Sequence, residues 1–158
     1  MKKVTRELIK LRQKYVANPK AIQHISSVSK IGGGELNQCY QNAFKSKAPE
    51  AFGGSMMSGW LVQPYDPVTN STAIIQHWWN VDRNDNHIDT TPTLNIDSDY
   101  VQDLGIYVFC FTNDARLDTH LGKSMMFKDG RFSVLYDVDN MYFSPLQDLD
   151  ISRFYTLR

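Results

Sequence analysis

The chain has 158 residues, 17 basic and 17 acidic side chains, and a formal net charge of zero. That length suits one domain with a real core, and the charge balance leaves no global basic field for nucleic acid or an anionic membrane. No apolar run approaches the roughly 20 residues that span a bilayer. The start, Met-Lys-Lys-Val-Thr-Arg-Glu, lacks the apolar core of a secretory signal, so the expected location is cytoplasmic. Two cysteines do not make a disulfide framework.

In chain order, the first expected element is a helix from about Thr5 to Ala17. Thr5 is its candidate N-cap, and Leu8, Ile9, Leu11, Tyr15 and Val16 form its apolar stripe. The basic residues there, Arg12 and Lys14 among them, read as a solvated face. Asn18-Pro19 ends the helix, and a short second helix is expected over Pro19 to Ser26. His24 on that stretch reads as solvated. Gly32-Gly33-Gly34 is a loop leading into a helix from about Asn37 to Ser46.

Strands are expected from about Met57 to Gln63, Thr72 to Asn80 and His87 to Asp89. They are separated by the turns Pro64 to Asn70 and Arg83 to Asn86, which gives an antiparallel meander. A polar stretch after Pro92 precedes an apolar strand around Gly105 to Thr112, where Cys110 reads as a buried structural thiol. Lys128-Asp129-Gly130-Arg131 reads as a hairpin turn between Met125–Phe127 and Phe132–Tyr136. The tail from Ser144 is ambiguous. The expected fold is a single α+β domain, N-terminal helices packed on an antiparallel sheet.

Three residues carry the chemistry. Cys39 follows the glycine loop at a helix start, where backbone N–H groups and the helix dipole favour the thiolate. His77 lies on a strand in Ile75-Gln76-His77-Trp78-Trp79, shielded as a general base needs to be. Asp89 ends the next strand and suits the far ring nitrogen of His77. Together they form a candidate nucleophile, base and orienter.

This pattern resembles the transglutaminase-like superfamily of papain-like cysteine enzymes. The motifs are Cys39 after a glycine loop, His77-Trp78-Trp79, and Asp89-Thr90-Thr91-Pro92. They span about Gly32 to Pro92, and Thr90 stands where proline is common in the family. The resemblance implies a papain-like core and a cysteine-dependent hydrolase or acyltransferase without a cofactor. It would act on a protein, peptide or small amide substrate through an acyl-thioester. The Cys39 backbone N–H and a side-chain amide, Asn37 or Gln38, would hold the oxyanion, and Trp79 would line the substrate channel. Trp60 and Trp78 read as core. Two alternatives stay open: a catalytically inactive binding module, and a metal site made of His77, His87 and Asp89.

Overall fold

The computed structural model describes residues 1–14, 18–36, 38–46, 54–92, 97–103, 124–137 and 142–145. Helix α1 spans Lys3–Gln13 and helix α2 spans Cys39–Ser46. The strands are β1 (Ile22–Ile25), β2 (Val28–Lys30), β3 (Ser55–Val62), β4 (Thr72–Val81), β5 (His87–Asp89), β6 (Asp99–Asp103), β7 (Ser124–Lys128), β8 (Arg131–Asp137) and β9 (Tyr142–Pro145). The architecture is α+β, two helices on a mainly antiparallel sheet.

The sheet runs β1-β6-β3-β4-β7-β8-β9, and β5 branches from β4 and pairs with β2 in parallel. β1 and β2 follow one another in the chain, yet they hang from opposite ends of the path β1-β6-β3-β4-β5-β2. The sheet therefore curls back on itself. Strand alternation gives it two different faces. On one face Trp60, Val62, Ile74 and Val101 pack with Leu8 of α1, Ile22 and Met125. Inside the curl, Leu61, Trp79 and Tyr100 pack with Ile25, Val28 and Met57.

The meander β3-β4-β5 follows the sequence expectation, as does the β7–β8 hairpin. Its turn residues Asp129 and Gly130 both have positive φ, the backbone of a two-residue hairpin turn. Four expectations need correction. Helix α1 begins at Lys3, so Thr5 is not its N-cap. Instead Asp99 of β6 accepts from the Lys2 N–H at 2.7 Å and the Thr5 hydroxyl at 2.6 Å, which ties the start of the helix to the sheet.

Arg12 is not on a solvated face. It is 1 % exposed, and its Nε and Nη2 both donate to Asp103. Pro19 to Ser26 holds a single 3₁₀ turn (Pro19–Ala21) and then β1 rather than a helix. Pairing of Ile22–Ile25 with β6 supplies the hydrogen bonds that a short helix would have made. His24 therefore lies on a strand, its Nε2 3.8 Å from Asp99. Finally, the polar stretch after Pro92 contains β6, which sits between β1 and β3. The expected strand around Gly105 to Thr112, with Cys110, lies outside the described residues.

Candidate active site

Strand β4 creates the site through what does not pair with it. β3 covers one edge from Ile74 to Val81. On the other edge β7 pairs with Thr72–Ile75 and β5 with Asn80–Val81. Among the described residues, no strand takes that edge from 76 to 79. The start of α2 fills the gap. Asn80 Nδ2 donates to the Ala43 carbonyl at 2.8 Å, and the Tyr40 ring meets Trp78 edge-on at 5.4 Å. The Trp78 backbone N–H points into the gap and donates to the Cys39 sulfur.

Cys39, His77 and Asp89 are brought together here. His77 Nε2 lies 2.8 Å from Asp89 Oδ2. The imidazole also shares a hydrogen bond with Cys39, and Nδ1 is the ring nitrogen that Asp89 leaves for it. Cys39 is half-buried, His77 is 5 % exposed and Asp89 is 1 % exposed. Burial alone would push the thiol up. Hydrogen bonding to His77, the charge of His77, and backbone N–H groups of Trp78 and Tyr40 outweigh it and hold Cys39 below its ordinary value.

For His77, burial pulls the imidazolium down, but Asp89 and Cys39 more than reverse this and raise it to about 9. Asp89 would likewise be raised by burial, yet His77, the Tyr100 hydroxyl and the Thr91 N–H keep it below the usual carboxylate range. A thiol held down beside an imidazole held up is the electrostatic signature of a thiolate–imidazolium pair.

The motif around Asp89 has a mechanical logic. Asp89 Oδ1 accepts from the Thr91 N–H at 2.9 Å. The Asp89 and Thr90 carbonyls accept from Ile31 and Gly34, at 3.0 and 2.9 Å. β5 therefore extends its parallel pairing with β2 into the glycine loop and fixes the approach to Cys39. Gly32 and Gly33 have φ of +63° and +91° and face open space, whereas Gly34 is packed.

A Cβ on Gly34 would lie 2.5 Å from the Asn42 side chain. Asn42 uses both polar atoms of its amide. Oδ1 accepts from the Glu35 N–H at 2.9 Å, and Nδ2 donates to the Glu35 carbonyl at 2.8 Å and to Thr91 Oγ1 at 3.0 Å. It ties the loop before Cys39 to Thr91, which anchors Asp89. Sequence reasoning missed Asn42. The available signal was an asparagine inside a short helix, where its side chain competes with the backbone unless occupied elsewhere. Tyr100, whose hydroxyl donates to Asp89 Oδ2, was missed too, and no motif around it gives a signal.

The remaining candidates are placed as follows. Asn37 lies outside the described residues. Gln38 is half-buried immediately before α2, and its carbonyl accepts from the Asn42 N–H at 2.8 Å. Trp79 has no exposed surface. It shares a strand face with His77, stacks with it at 6.2 Å and donates from Nε1 to His87 Nδ1 at 2.9 Å. That puts the indole behind the His77 ring, inside the curl, with no surface open to a substrate. Trp60 and Trp78 are core residues, as expected. His87 is occupied by the Trp79 indole, and among the described residues no group of three or more His, Cys, Asp or Glu is arranged to hold a metal. No family model, curated protein or solved structure matches the chain.

Proposed function

We propose that the protein is a cysteine-dependent hydrolase or acyltransferase acting on an amide, peptide or isopeptide bond, with a papain-like core of the transglutaminase-like kind. The observation that carries this is the continuous relay from Cys39 at the start of α2, through His77, to Asp89. The cysteine-bearing helix lies against the strand that carries His77, which keeps thiol and imidazole together.

In the first half-reaction the Cys39 thiolate bonds to the carbonyl carbon. The Cys39 backbone N–H belongs to the first turn of α2, where donors have no intrahelical acceptor, so it suits the oxyanion. Gln38 and Asn37 are the side-chain candidates for a second donor. As the C–N bond breaks, the proton on His77 Nδ1 passes to the leaving nitrogen. A water or an acceptor amine then attacks the thioester and gives its proton to His77. The S–C bond breaks and the thiolate returns. Asp89 holds the ring orientation throughout.

The test is to incubate the protein with activated thioesters and a peptide amide panel, and to look for an acyl adduct on the Cys39 peptide by mass spectrometry. Cys39→Ala should retain the native circular dichroism and lose both adduct and turnover. Turnover retained in Cys39→Ala contradicts the proposal.

A further inference from the structure

We propose that Tyr100 is a positioning residue of this site: its hydroxyl shares Asp89 Oδ2 with His77 and sets how strongly Asp89 holds the His77 proton. The inference rests on the cysteine–histidine–aspartate reading above. Tyr100 stands on β6, two strands away from β4 in the sheet order, and is 2 % exposed. Its ring meets the His77 ring edge-on at 5.8 Å and Trp79 at 5.3 Å. Its hydroxyl donates to the same carboxylate oxygen that receives His77 Nε2. Two donors therefore compete for one oxygen.

A hydrogen bond to a carboxylate withdraws some of the charge that would otherwise stabilise the imidazolium. An orienter that held the proton too firmly would make His77 a poor acid for the leaving group. Burial and the neighbouring carboxylate raise the phenol far above its ordinary value, so Tyr100 remains a donor wherever His77 titrates. The groups that face His77 are Cys39 from α2, Asp89 from β5 and Tyr100 from β6. Two others lie one contact further out. Lys30 Nζ of β2 is 5.5 Å from the Tyr100 ring centre, and His87 of β5 is reached through the Trp79 indole. Both residues are kept in every Tyr100 variant.

The experiment is a pH titration of the His77 ring by NMR on the full chain, comparing wild type, Tyr100→Phe and a ring-fluorinated tyrosine placed at Tyr100, with Cys39→Ala as control. Phenylalanine keeps the aromatic contacts and removes the donor, so the His77 titration should move up by about one pH unit. A fluorinated, more acidic phenol donates more strongly and should move it down. This opposite sign is something a merely structural role would not produce, and it decides the matter if Tyr100→Phe does not fold. A His77 titration unmoved by either change overturns the inference. If Cys39→Ala also leaves His77 unmoved, the thiol and imidazole are not coupled and the underlying reading falls with it. If Cys39→Ala lowers it while the Tyr100 variants do nothing, only the role of Tyr100 is lost.

Discussion

At the residue scale, the site depends on side chains that hold one another in place. Asn42 is the clearest case, because both polar atoms of its amide bond to Glu35 or Thr91. Replacing Asn42 by Ala strands the Glu35 backbone groups and the Thr91 hydroxyl in a partly buried setting, at a cost of about 1–3 kcal/mol. It also removes the side-chain tie between the glycine loop and Thr91, leaving only the backbone bonds of Ile31 and Gly34 to the Asp89 segment. Asn42→Ala should therefore lower the denaturant midpoint and slow Cys39 alkylation at neutral pH together. A variant that loses stability but alkylates like wild type would show that Asn42 only holds the fold.

At the scale of elements, the contrast between the two helices is instructive. Helix α2 and strands β3, β4 and β5 were legible because their patterns are local: a glycine loop, a helix stop, alternating strands and polar turns. Cys39, His77 and Asp89 came with them, because each sits at the end or centre of such an element. Helix α1 was legible in its position but not in its chemistry. Its buried Arg12 is received by Asp103, 91 residues away, which also accepts from Trp60 Nε1 at 2.9 Å. No local pattern announces a partner that distant. Removing one member of a buried ion pair leaves the other charge uncompensated and costs about 3–5 kcal/mol. Arg12→Ala should lose that much in urea unfolding. A loss below 1 kcal/mol would mean that Asp103 finds compensation elsewhere.

At the scale of the molecule, the curl of the sheet places Tyr100, Trp79 and β5 around His77. This level was the least readable. β1, β2 and β6 are short, and the pairings that fix them are mostly long-range: β6 joins β1 and β3, and β2 joins β5. Asp99-Tyr100-Val101-Gln102-Asp103 looks polar in isolation, yet it pairs on both edges and buries Tyr100, Val101 and Asp103. Close approach of strands inside the curl makes Gly59 sensitive. It stands opposite His77 in the β3–β4 register, and a Cβ there would lie 2.0 Å from the Val101 carbonyl oxygen and 2.7 Å from the Trp79 ring. Gly59→Ala should cost about 1–3 kcal/mol by overpacking and displace the indole behind His77. The check is thermal unfolding together with tryptophan near-UV circular dichroism. An unchanged melting temperature and spectrum would contradict the tight β3–β6 approach.

The central claim is that Cys39 and His77 form a thiolate–imidazolium pair. The most direct measurement is the pH dependence of Cys39 alkylation by iodoacetamide, read on the Cys39 peptide so that Cys110 serves as internal control, in wild type and His77→Ala. His77 is the main group holding the thiol down, and burial acts the other way. Wild-type Cys39 should therefore react well below the pH at which an ordinary thiol does. Without the imidazole, burial is left to push the thiol up, so His77→Ala should move the reactive limb to higher pH and slow the neutral-pH rate by about tenfold or more. If Cys39 follows an ordinary or buried thiol in wild type, and His77→Ala changes nothing, the pair does not exist and the catalytic account is contradicted.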